Sequence, residues 1–151
     1  MSYRTSVGLT LLVASLLCAW NAQATDKPPG GVWRIVSAGE LEGEKFKPLS
    51  GREAPLLGQA VSFHEDGVVG PPPLACRTAS YGYEQMSALG FFQGYAGNEA
   101  EAKRIAATTE LPDPADSLTV TCDNGVFDFH MIDKNRMVIM LDVVVYTLKK
   151  E

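Results

Sequence analysis

Near the C-terminus the dipeptide Asn124-Gly125 separates two stretches, SLTVTCD and VFDFHMID, in which apolar and polar residues alternate. Period-two alternation sends successive side chains to opposite faces of a strand, and Asn-Gly is the strongest local signal for a two-residue type I′ hairpin turn. Together they predict a hairpin with Cys122 opposite Phe127, Val120 opposite Phe129 and Leu118 opposite Met131, which puts six apolar side chains on one face. Thr119, Thr121, Asp128 and His130 share the other face. A three-residue turn at Asp133-Lys134-Asn135, with Asn135 in the left-handed region, then sets Met137, Ile139 and Leu141 opposite Met131, Phe129 and Phe127. A third turn at Asp142-Val143 brings Val144, Tyr146 and Leu148 to the same face, although valine suits a tight primed turn poorly.

A meander with one apolar face must cover that face, and the upstream sequence offers more sheet to do it. GVWRIVSA is short and rich in β-branched and aromatic residues, a strand signal. GELEGEKFKPLSGREAP reads as a long loop or a poor edge hairpin. In LLGQAVSFHEDG, Val61 and Phe63 share one face and Glu65-Asp66-Gly67 makes a turn. GPPPLACRTASY reads as the next strand, with its prolines at the start because proline donates no ladder hydrogen bond. The glycine-rich and aromatic stretch from Gly82 to Gly97 has no clean period and reads as a loop crossing a barrel end. NEAEAKRIAATT is the one convincing helix, with Asn98 as N-cap, Glu99 and Glu101 in the first turn and a thin apolar face of Ala102, Ile105 and Ala106. The expected fold is mainly β: a small antiparallel β-barrel or strongly curved sheet with one short helix.

The first residues carry one basic side chain, Arg4, an uncharged apolar run from Val7 to Trp20, and Ala22-Gln23-Ala24. This is the pattern of a secretory signal peptide cleaved after Ala24, and the run is too short to remain as a membrane span. Cys18 follows Leu17 rather than the small residue that a lipidated cysteine requires. The expected organisation is a signal peptide at 1–24, a flexible segment at 25–30 and a single β-barrel domain at 31–151, working in the periplasm or secreted. Two cysteines remain after cleavage, Cys76 and Cys122, and an even count in an oxidising compartment reads as a disulfide. Of the charged residues only Arg4 is lost, which leaves 12 basic against 18 acidic and a net charge of -6. Such a balance argues against nucleic acid or anionic membrane as partner.

Gly31-Val32-Trp33 at the start of the first strand, with Lys149 and Lys150 in the last, resembles the lipocalin and wider calycin arrangement. There the first-strand tryptophan packs near the closed end of the barrel beneath a basic residue of the last strand. The second lipocalin motif, of T-D-Y type, is lacking. The run GPPPLAC, ASYGYE, GFFQG, TVTCDNGVFDFHMID and LDVVVYTLKK also resembles a family of small exported bacterial proteins, over about residues 56 to 149. What the resemblance implies is a lipocalin-like barrel and no activity.

Chemistry-bearing residues are sparse. His64 and His130 are the only histidines. With Asp128 they would make a metal set only if the fold brought them together, and Asp128 and His130 fall on a face expected to be solvated. No G-x-S-x-G is present, the cysteines read as paired, and no cofactor is expected. Arg77, Tyr81, Tyr83 and Tyr95 are candidates for a recognition surface, while Trp33, Phe127, Phe129, Asn124 and Gly125 are read as structural. Three function classes follow: a binder of an exported protein, of inhibitor or immunity type; a carrier of a small apolar ligand inside the barrel; and an enzyme. The inward residues Phe63, Phe127, Phe129, Met131, Met137, Ile139 and Tyr146 are bulky enough to fill so small a barrel, which favours the first class.

Overall fold

The computed structural model describes residues 26–151, so the signal peptide expected at 1–24 lies outside the described residues. Nine antiparallel strands form one sheet: β1 (Val32–Glu42), β2 (Lys45–Pro48), β3 (Ala60–His64), β4 (Gly67–Val69), β5 (Ala79–Met86), β6 (Ala115–Cys122), β7 (Gly125–Asp133), β8 (Arg136–Leu141) and β9 (Val144–Lys150). Two helices, α1 (Ala88–Phe91) and α2 (Glu99–Thr108), lie between β5 and β6 in the chain. The strand order is β4-β3-β1-β9-β8-β7-β6-β5, and β2 pairs with the far half of β1. The sheet curls into a nearly closed barrel.

At the seam between β4 and β5, closure rests on a few contacts. Val68 and Cys76 exchange two backbone hydrogen bonds of 2.9 and 3.0 Å, and Ala79 N–H donates to Asp66 at 3.0 Å. The Tyr81 hydroxyl, inside the barrel, is 2.6 Å from the His64 carbonyl and 3.0 Å from that of Gly67. The disulfide Cys76–Cys122 fastens the same seam. Only the end of the proline-rich stretch is strand: Pro71–Leu74 forms a turn, and Cys76 sits in an isolated bridge beside β4.

The meander keeps its predicted faces but not all of its predicted partners. Cys122 pairs with Gly125, Val120 with Phe127 and Leu118 with Phe129, a register two residues from that expected of an Asn124-Gly125 turn. A shift of two preserves the face of every side chain, so the apolar set still points inward. The turn residues are Asp123 and Asn124, neither with a positive φ. Tertiary contacts hold them there: Asn124 Nδ2 donates to the Pro73 and Ala75 carbonyls at 2.9 and 3.0 Å, and Asp123 accepts from the Arg77 amide and Nε, both at 3.1 Å. These contacts outweigh the local preference for a primed turn.

The next turn also differs. Met131 pairs with Met137 as expected, but Asp133 pairs with Arg136 and a bulge separates the two pairs. Asn135 is not left-handed, because its N–H bonds the Asp133 carboxylate at 2.8 Å. At the third turn, Asp142 alone takes a positive φ, of 55°, which relieves Val143 of that conformation. Tyr146 and Leu148 face Ile139 and Met137 as the alternation requires.

The segment expected as loop or edge hairpin is a hairpin: β1 runs on to Glu42, and β2 returns against it. The ring of Phe46 covers Gly39 so closely that a Cβ there would meet the ring at 2.1 Å, which only glycine avoids. Inside the barrel Trp33, Ile35, Val61, Phe63, Leu118, Phe129, Met137, Ile139, Tyr146 and Leu148 form one core. Phe63 packs edge-on to Phe129 at 5.2 Å between ring centroids. Each such large side chain contributes about 1.5–3 kcal/mol of burial.

A second core lies on the outer face. Asn98 caps α2 by accepting from Glu101 N–H at 3.0 Å, and the Glu101 carboxylate accepts from Gly97 N–H at 2.8 Å. The helix then lays Ala102, Ile105 and Ala106, with Phe92, against Leu41, Val138 and Val145. Phe91 and Phe92 therefore close the outer layer rather than a barrel end. Residues 26–27, in the segment expected to be flexible, bond β5: Asp26 N–H donates to the Tyr81 carbonyl at 3.0 Å, and Tyr83 Oη to the Lys27 carbonyl at 3.1 Å.

Replacing both Cys76 and Cys122 by serine is expected to lower stability by about 4 kcal/mol, from the loop the bond closes. Asn124→Ala is expected to lose about 1–2 kcal/mol with the disulfide intact. Urea unfolding checks both, and an Asn124→Ala midpoint equal to that of the parent chain would contradict the clamp at the hairpin tip.

Candidate functional site: a slot in the barrel wall

β6 and β7 are laced together from Cys122 and Gly125 to Ser117 and His130. β7 and β8 are joined only near their shared turn, the last pair being His130 with Val138. Beyond it the strands part, and Val126–Phe129 and Ile139–Leu141 do not pair across the gap. A slot of about 370 Å³ opens there in the wall of the barrel. Phe127, Ile139 and Leu141 of the inner face line it, with Asp128, His130 and Met140 of the outer face and Met86, Gly90 and Phe91 above.

The backbone at the slot has a definite orientation. Cys122 with Gly125, and Leu141 with Val144, flank two-residue turns and so form narrow hydrogen-bonded pairs. Alternation along antiparallel strands then turns the N–H and C=O of Val126 and Asp128, and those of Met140, toward the slot. The parted strands therefore present two free edges inside an otherwise continuous sheet.

Among the described residues, His130 and Ser117 form the one buried polar pair on the outer face, and both are fully buried. Ser117 Oγ lies 2.5 Å from His130 Nδ1 and 3.4 Å from the Ala115 carbonyl. The hydroxyl has a single proton to give. It goes either to Nδ1, with the ring proton then on Nε2, or to the Ala115 carbonyl, with Nδ1–H then donating to the hydroxyl. Nε2 has no hydrogen-bond partner among the described residues. The ring of Phe91 covers the imidazole at 4.0 Å between centroids, and burial holds the pKa of His130 down to about 4, against a smaller upward pull from Asp128. Asp128 accepts from Thr119 Oγ1 at 2.6 Å.

The expectation that this face is solvated is thus corrected for His130, because α1 folds over it. Ser117 escaped the sequence reading for a related reason. The expected register set Thr119 opposite His130, whereas the observed one sets Ser117 there. Full burial keeps a substrate from Ser117 Oγ, so the pair is no accessible nucleophile and base. His64 is exposed on β3, with three strands between it and β7 in either direction around the barrel. Among the described residues no three His, Cys, Asp or Glu side chains gather as a metal ion would require.

The four candidate recognition residues do not form one surface. Arg77 is exposed and pairs with Asp123. Tyr81 is buried and spends its hydroxyl on the seam. Tyr83 is exposed beside a different cleft, which also contains Met131 and Asp116. Tyr95 is half-buried and donates to the Gly43 carbonyl at 3.1 Å. Trp33 is buried, with Lys150 Nζ 5.6 Å from its ring centroid. No family model, curated protein or solved structure matches this chain.

The burial of His130 has a consequence for stability. An exposed histidine in the unfolded chain takes up a proton near pH 6.5, whereas the folded chain refuses it until about pH 4. Between those values the unfolded state holds more protons, so stability falls as the pH is lowered through the window. The full loss is roughly 3 kcal/mol. Urea midpoints from pH 7.5 to 4 should fall less steeply for His130→Gln than for the parent chain, and parallel slopes would contradict a neutral buried imidazole.

Proposed function

We propose that this chain is an exported, non-enzymatic binding protein whose partner is another exported protein, as in an inhibitor or immunity factor. The observation that carries the reading is the occupied barrel interior. Trp33, Phe129, Met137, Ile139 and Leu148 are all essentially inaccessible and mutually packed. Four clefts among the described residues open to solvent. A lipocalin-like carrier of a small apolar ligand needs an internal cavity of about 300 Å³ or more, and these side chains occupy the space it would use. The disulfide is compatible with an oxidising compartment, and the acidic balance of the chain favours a basic protein surface over nucleic acid.

The test is performed on the chain as exported from its host. Immobilised, it should recover one exported protein that, once purified, binds with saturation at a fixed stoichiometry. Organic extraction of the same preparation should yield no apolar small molecule in molar proportion. Recovery of such a molecule, or the failure of every exported protein to bind saturably, would overturn the proposal.

A further inference from the structure

The slot between β7 and β8 combines features that nothing else in the fold uses. Its two free strand edges offer main-chain donors and acceptors at Val126, Asp128 and Met140. Its side-chain charge is of one sign: Asp128 and Asp142 are the only charged residues in the lining apart from the neutral imidazole. Asp142 makes no ion pair or side-chain hydrogen bond among the described residues, and Asp128 has a single hydroxyl donor. In the cleft beside the end of α2, by contrast, Arg136 is already paired with Glu110 and Asp133. His130 adds a fully buried ring nitrogen to the slot lining, without a partner among the described residues.

We propose that the slot receives an extended segment of the protein partner in which a lysine or arginine is flanked by apolar residues. This rests on the protein-binding reading above. The backbone of the segment adds to the free edge of β7 or β8, the manner in which peptides commonly extend a sheet. Its cation is drawn by Asp128 and Asp142, and its apolar side chains meet Phe127, Phe91 and Met140. An acidic segment is excluded by the same two carboxylates.

Methionine methyl NMR reads this site directly, because Met86 and Met140 line the slot while Met131 and Met137 do not. The probe is an acetylated octapeptide of alternating valine and threonine with a central lysine, compared with the same peptide carrying glutamate. The lysine peptide should shift the Met86 and Met140 methyls and leave that of Met137 in place, and the glutamate peptide should shift neither. The double variant Asp128→Asn, Asp142→Asn should weaken lysine-peptide binding about tenfold. Its fold is safeguarded, since asparagine tolerates the positive φ of residue 142 and still accepts from Thr119.

Equal response to both peptides, shifts confined to Met131, or no shift with either would overturn the slot proposal. The partner reading fails separately. If a purified exported partner binds saturably and the double variant binds it equally well, the slot is wrong and the partner reading stands. If the lysine peptide behaves as described while no exported protein binds, the slot stands as a peptide site and the partner reading falls.

Discussion

The fold depends on the junction between the tip of the β6–β7 hairpin and the turn that follows β4. One covalent bond, Cys76–Cys122, two donations from Asn124 Nδ2 and two accepted by Asp123 converge there. The junction closes the seam of a sheet whose end strands, β4 and β5, are not paired with each other, the one bridge there joining Val68 of β4 to Cys76 ahead of β5. It also fixes the hairpin register. Because the side-chain period is two, a slip of one residue would expose Val120 and Phe129. The clamp thus selects one of the even registers that the apolar pattern alone leaves equivalent.

From that register follow both the filled interior and the slot. With Val120 opposite Phe127 and Leu118 opposite Phe129, the large side chains of β7 join Phe63 and Tyr146 in the inner core. On the outer face the same register sets Ser117 against His130 and lets Phe91 cover the pair. β7 is thereby tied to β6 and the junction at one end and to β8 only at the other. The gap between β7 and β8 is where these two attachments part.

Much of the fold was legible in the sequence, because it was written in local patterns. Alternation identified the strands of the meander and the side each residue faces, and Asn98 with Glu101 marked the start of α2. The exact partners were not legible, because Asp123 and Asn124 answer to Pro73, Ala75 and Arg77, some fifty residues away in the chain. A local turn preference of this kind yields when several long-range bonds oppose it. The buried His130 was hidden for a different reason: four residues of α1, from a stretch with no period, cover a strand face that is otherwise polar. The slot had no signal at all, since it consists of pairing that stops.

A barrel sealed by packing yet parted between β7 and β8 is tested most directly by residue-resolved amide hydrogen exchange. The amides of Phe127 and Ile139, which face β6 and β9, should be strongly protected, as should those of His130 and Val138 at the last pair of the ladder. Those of Val126, Asp128 and Met140, which face the slot, should exchange orders of magnitude faster. Equal protection across all of these amides would mean that the ladder is complete and the wall closed, which would contradict a parted barrel.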